Sequence, residues 1–201
     1  MIKNVFFAIL ASGFLNLESV QFGQFLISRP SFSGFILGLI LGFPLWGFLG
    51  GLLIEFSYLD FNPIGGSVPP NSSMAVISML VFYAIFKYFE LAFLFGFSMG
   101  FVYSQMDKII RTMRNKWVLS AQKEIESGRY YFSKYILKSL ILEFAIFICF
   151  SFFITLILGA VFPFLRFSFP QKITNLFFIG IISISISSLY YRLKNQVAKN
   201  E

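Results

Sequence analysis

The stretch RPSFSGFILGLILGFPLWGFLGGLLIEFSYLDFNPIGGSVPPNSS, residues 29–73, contains the run that decides the fold. From Ser31 to Tyr58 it is apolar except for one charge, Glu55, yet it is not a uniform helix. Gly38 and Gly42 stand four apart, as do Gly47 and Gly51; glycines so spaced stack on one helix face and let another backbone come close. Pro44, between the two pairs, removes an amide donor and clashes with the preceding turn, so it breaks or kinks a helix. The spacing predicts two half-helices, over about 31–42 and 45–58, joined at Gly42-Phe43-Pro44. Asp60 to Ser73 then reads as a loop. Pro63, Pro69 and Pro70 lack donors, Gly65-Gly66 permits positive φ, and Ser72 or Ser73 can cap a helix over about 74–86.

The rest of the chain sets this run in a membrane. Of 201 residues, 57% are hydrophobic and 12% charged, with a mean hydropathy of +0.79. A soluble domain carries about 25% charged residues, so the deficit is too large for a water-facing surface. At roughly 20 apolar residues per span the chain has room for five or six. Met1 to Leu17, with Lys3 ahead of an apolar run, reads as a retained first helix rather than a cleaved signal. Leu91 to Met106 is a further apolar segment, and two more spans are expected over about 139–162 and 173–190. The expected fold class is an all-α polytopic membrane protein. It has about five to six transmembrane or half-spanning helices, a broken helix and a re-entrant Pro/Gly loop.

Asp107 to Lys138 is the charged stretch, with Lys108, Arg111, Arg114, Lys116, Lys123, Arg129, Lys134 and Lys138 set against Asp107, Glu124 and Glu126. Met106, Ile110, Met113, Trp117 and Ala121 recur every three or four residues, the stripe of a helix lying along a membrane surface. The excess of Lys and Arg places it on the cytoplasmic side, and Gly128 is expected to end it. One integral membrane domain, 1–201, is therefore expected. Its parts are N-terminal helices 1–106 with a substrate-site loop 59–73, a cytoplasmic amphipathic segment 107–138, two last spans within 139–190 and a cytoplasmic tail 191–201.

Several chemistries are closed. Histidine is absent, which removes a Ser–His triad, a phosphohistidine carrier and His-ligated metal or haem. Cys149 is alone, so no disulfide or thiolate cluster forms within the chain. The net charge of +7 sits beside apolar runs, a topology signal and not a nucleic-acid footprint. No metal and no cofactor are expected.

The acid inside the glycine-spaced run carries the functional expectation. Four residues on from Gly51, Glu55 lies on the glycine-lined face. A carboxylate at the bilayer centre costs at least about 2.5 kcal/mol, so it faces a cavity and does work. A broken helix, an acid and an irregular loop together point to a solute site. Other readings stand beside this one: an interfacial acid at a helix end, Asn62 as a turn former before Pro63, glycines that only shape the loop, Arg29 as an interfacial anchor or paired with Glu55 or a ligand, and Glu143 within reach of Lys138 or a partner subunit.

Arg29-Pro30, Gly38, Gly42, Gly47, Gly51, Glu55, Ile64-Gly65, Val68 and Pro70, in this order and spacing, resemble the IIC subunit of mannose-class phosphotransferase permeases, the mannose/fructose/sorbose group. Arg111-Thr112, Lys123 and Gly128 resemble that family's basic cytoplasmic helix. The chain departs from the pattern in its double glycine Gly50-Gly51, in Asn62-Pro63, in Asn71 where the family has an acid, and in fewer C-terminal spans. The resemblance implies translocation of a hexose-type sugar, bound by Glu55, Asn62, Gly65, Gly66, Pro70, Asn71 and Arg29. It also implies a IID-like membrane partner in an oligomeric complex, IIA- and IIB-like soluble subunits that do the phosphoryl chemistry, and a bacterial cytoplasmic membrane location with a cytoplasmic C-terminus. The chain itself is then not an enzyme. A non-transporting scaffold or receptor of the same fold, and a small-solute uptake component, remain open alternatives.

Overall fold

The computed structural model describes residues 2–20, 25–59, 61, 68–127, 132–161, 164 and scattered positions between 176 and 194. Six helices pass through the well-described part: α1 (Ile2–Val20), α2 (Pro30–Leu41), α3 (Pro44–Tyr58), α4 (Ser72–Phe86), α5 (Phe89–Glu126) and α6 (Phe132–Val161). No strand occurs among the described residues. The expected last span, 173–190, is described at ten of its 18 positions, all of them helical.

α2 and α3 form the two half-helices, and they fold back on each other. Gly42 ends α2 in the left-handed region, φ 91°, which costs glycine nothing; its N–H donates to the Leu39 carbonyl and the Phe43 N–H to the Gly38 carbonyl at 2.8 Å. Pro44 then starts α3, where its missing donor is harmless. A Cβ on Gly34 would meet the Gly47 carbonyl, one on Gly38 would lie 2.9 Å from the Phe43 carbonyl, and one on Gly51 would meet the Pro30 carbonyl. Each of these pairs sums to 81, the mark of a strictly antiparallel register. With 12 and 15 residues the arms are about 18 and 22 Å long, too short to cross roughly 30 Å of hydrocarbon. The element is a re-entrant helical hairpin rather than a kinked spanning helix.

A second hairpin, α4–α5, packs against it. Lys87 ends α4 in the left-handed region and Gly96 and Gly100 let the two backbones close on Ala75 and Asn71, with the Asn71 N–H donating to the Gly100 carbonyl at 3.0 Å. α4 is buried on nearly every side, as an apolar helix without a polar face must be. Its start differs from the expectation. The helix begins at Ser72 because Asn71, not a serine, caps it, accepting from the Met74 N–H at 2.8 Å.

The charged segment is also placed differently. Residues 107–126 continue α5 without a break, giving one 38-residue helix about 57 Å long rather than a separate surface helix. No Pro or Gly lies between Met106 and Glu126, and Lys, Arg, Glu and Gln are good helix formers. The helix stops at Ser127, while Gly128 lies outside the described residues.

α6, uncharged from Phe144 to Val161, is long and apolar enough to cross a membrane. α1 packs against it in the opposite direction: Phe6 meets Phe152, Phe14 meets Phe144, and Gly13 lies under Phe144. The start of α1 is therefore at the far end of the bundle from the basic segment. Phe7, Phe14, Leu45, Phe153 and Leu156 are all exposed, an outer surface that suits lipid as its solvent.

The hairpin register makes a stability prediction. Gly47→Ala forces a methyl onto the Gly34 carbonyl and should cost about 1–3 kcal/mol, read as a lower melting temperature in detergent. Gly159→Ala, which has open space in α6, should leave melting unchanged or raise it.

Candidate functional site

Two polar clusters meet at the sequence Pro70-Asn71-Ser72, one opening to the surface and one sealed in the bundle. The open cluster grows from the base of the α2–α3 hairpin. The antiparallel register carries Glu55, in the last turn of α3, back to the start of α2. There one carboxylate oxygen takes the Arg29 guanidinium at 3.1 Å, and the other accepts from the Ser31 hydroxyl at 2.6 Å and the Ser31 N–H at 3.3 Å. Glu55 thus supplies from across the hairpin the N-terminal acceptor that α2 lacks locally, at the positive end of that helix. Beside this carboxylate is a pocket of about 330 Å³, lined by Pro30, Glu55, Tyr58, Phe61, Pro70 and Ser72 among others. The Tyr58 hydroxyl donates to the Phe97 carbonyl at 2.7 Å, which holds the ring at the wall.

The expected site residues fall into three groups. Glu55 and Pro70 line the pocket, and Arg29 reaches it through Glu55. Asn71 is adjacent but its side chain turns away from the pocket, into the core. Asn62, Gly65 and Gly66 lie outside the described residues.

The sealed cluster is a relay of side chains through four helices. The Asn71 amide donates to Asp107 at 3.2 Å and to Asn16 at 2.9 Å; Asn16 donates to Glu143 at 3.4 Å, and Glu143 takes Arg114 at 3.1 Å. The relay leaves α5 at Asp107, crosses α4, α1 and α6, and returns to α5 at Arg114. Asn16 is wholly buried and Glu143 is 1% exposed. The partner of Glu143 is Arg114 and not Lys138: five residues turn a helix by about 140°, so Lys138 faces away and lays its ammonium over Trp117, 4.3 Å from the ring centre. Asn16 and Asp107 were not anticipated. The available signal was Ser12 and Asn16, two polar residues one turn apart in an otherwise apolar helix.

Short apolar hairpins around a polar pocket, packed with a long spanning helix, are the anatomy of a membrane transporter. The model of the family described as the sorbose-specific IIC component of the phosphotransferase system matches residues 2–184. A solved structure described as a membrane protein superposes with a TM-score of 0.80 at 19% identity, over 98% of this chain and 80% of that one. The cryo-EM structure of the mannose transporter ManYZ in complex with microcin E492 superposes with a TM-score of 0.70 at 18% identity, with the same two coverages, 98% and 80%. No curated protein sequence matches the chain. The chain belongs to the sorbose-specific IIC family, and so is a membrane-embedded IIC sugar permease subunit of a phosphotransferase system.

The relay can be tested by unfolding in detergent. Arg114→Ala strands a buried carboxylate and should cost about 3–5 kcal/mol, whereas Arg114→Met combined with Glu143→Leu, which removes both charges, should recover most of it. Costs that simply add across the two positions would show that the pair is not coupled.

Proposed function

We propose that the pocket beside Glu55 is where the permease binds its sugar, a neutral monosaccharide of the hexose type. The observation that carries this reading is the Glu55 carboxylate, fixed by Arg29 and Ser31 while still lining a hollow of about 330 Å³. That volume is at the small end of ligand sites, which run from about 300 Å³ upward, and suits one sugar ring better than a larger solute.

Each wall has a use for a polyol. A carboxylate has roughly four lone-pair positions, so Glu55 has capacity for sugar hydroxyls beyond its Arg29 and Ser31 bonds. The Ser72 hydroxyl, in the lining, can donate and accept. Tyr58 and Phe61, 6.1 Å apart and edge to face, offer ring surfaces to the apolar C–H face of a sugar. Arg29 holds the carboxylate in position through their 3.1 Å ion pair. Asn62, Gly65 and Gly66 stay assigned to this site on the family resemblance alone, Pro70 lines it, and Asn71 supports it from behind by capping α4.

In this reading the chain translocates and does not phosphorylate. IIA- and IIB-like soluble subunits carry the phosphoryl group, since no residue of the chain can serve as a phosphohistidine. A IID-like subunit completes the membrane assembly, in a bacterial cytoplasmic membrane with the C-terminus on the cytoplasmic side. The supports are the family, the basic run ending at Lys138 and the rule that cationic loops stay inside.

Glu55→Gln should lower sugar uptake by tenfold or more, on the order of 1.4 kcal/mol or above, with membrane abundance unchanged. Tyr58→Phe, which keeps the ring wall, should lower uptake far less. Wild-type uptake by the Gln variant at normal abundance would remove Glu55 from the site.

A further inference from the structure

Beyond the sugar site, the ends of α5 and α6 diverge around a second hollow, an apolar groove of about 500 Å³. Its α5 wall is a helical stripe, Trp117, Val118, Ala121 and Ile125, and its α6 wall is Ile136 and Leu140 with Tyr135 at the mouth. Neither helix closes the groove. Val118 and Leu119 are 60% and 61% exposed, and Ile136 and Leu137 60% and 59%, so apolar surface continues out of the groove on both sides.

The rim is cationic in a specific way. Lys134 and Lys138 are one turn apart on α6, and each lays its ammonium over an aromatic ring of the groove: Lys138 over Trp117 at 4.3 Å, Lys134 over Tyr135 at 6.0 Å. Glu124 accepts from the Tyr135 hydroxyl at 2.9 Å. Arg114, deeper in, is taken by Glu143. Two ammonium groups, a Trp and a Tyr at the mouth of an apolar slot form the composition of a membrane–water boundary.

We propose that this groove binds one anionic phospholipid, its acyl chain along Val118, Ala121, Ile136 and Leu140 and its phosphate between Lys134 and Lys138. Charge complementarity selects the headgroup: residues 107–138 hold eight Lys and Arg against three Asp and Glu. The apolar walls select a chain over a free anion, because a phosphate alone would leave them wet. The exposed apolar side chains on both lips argue for lipid rather than a soluble protein, since they extend the groove into a surface that only hydrocarbon covers without cost. Basic pockets between helices at this depth are lipid-headgroup sites on the same physical grounds.

Trp117 is the built-in reporter. The chain has two tryptophans, so Trp46→Phe, which keeps a ring against Tyr83 and Phe89, leaves Trp117 alone. The full chain carrying this change is reconstituted into dioleoylphosphatidylcholine vesicles containing a minor share of brominated phosphatidylglycerol or brominated phosphatidylcholine. Half-quenching should require about tenfold less of the anionic lipid. Lys134→Gln with Lys138→Gln should equalise the two lipids, Lys134→Arg with Lys138→Arg should keep the preference, and added salt should reduce it in the parent. Equal quenching by both lipids in the parent overturns the proposal. So does a preference that survives the Gln pair, or an absence of quenching by either lipid, which would mean that polypeptide covers the groove.

Discussion

Backbone against backbone at the α2–α3 hairpin is the contact from which the rest of the structure follows. Gly34, Gly38, Gly47 and Gly51 remove every Cβ from the seam, and each would collide with a carbonyl or Cα of the facing helix if it carried one. The closeness sets a register, and the register brings Glu55, 26 residues along the chain, onto Arg29 and Ser31. A carboxylate at the end of an apolar helix needs partners where it stands. The hairpin supplies them at its own base, through the exposed end of α2 and one guanidinium. The pocket wall is a by-product of how the helix ends are satisfied.

The sealed relay answers a different constraint. Four helices that are greasy on most faces slide and rotate easily on one another, since apolar contacts are non-directional. Hydrogen bonds are directional, and Asp107, Asn71, Asn16, Glu143 and Arg114 can all be joined only when α1, α4, α5 and α6 share one height and one rotation. Asn71 belongs to this relay through its amide N–H groups and to α4 through its carbonyl oxygen, so the first turn of α4 is tied to the bundle and the pocket behind Pro70 has a stiff back.

The hairpin was legible because its signals are local. Proline and glycine act on their own neighbours, and the paired glycines with Pro44 were enough to predict two half-helices ending within a residue or two of those observed. That the halves fold back rather than kink depends on a tertiary register, as does the part played by Gly34. The family resemblance also rested mainly on this stretch, and the family is as expected. The continuous α5 is readable in principle, since nothing between Met106 and Glu126 breaks a helix; the change from apolar to charged residues marks a change of surroundings and not a structural boundary. The relay was not legible, because residues 16, 71, 107, 114 and 143 share no spacing and meet only when four helices are assembled. Of the pocket, Glu55 and its possible Arg29 partner could be read, while Ser31 and Tyr58 gave no signal apart from their neighbours.

The length of α5 gives the molecule a mechanical property. Near Gly96 and Gly100 the helix bears closely on α4, against the Ala75 and Asn71 carbonyls. On one side of that bearing Phe89 lies against Trp46 beside the hairpin tip, 4.9 Å ring to ring; on the other the rod runs on to Glu126. Measured from residue 98 the arms are nine and 28 residues, so the helix is a lever with a gain of about three. A free rod would turn one ångström at the hairpin tip into about three at its far end, and the ties of Asp107 and Arg114 to the neighbouring helices are what hold that arm still.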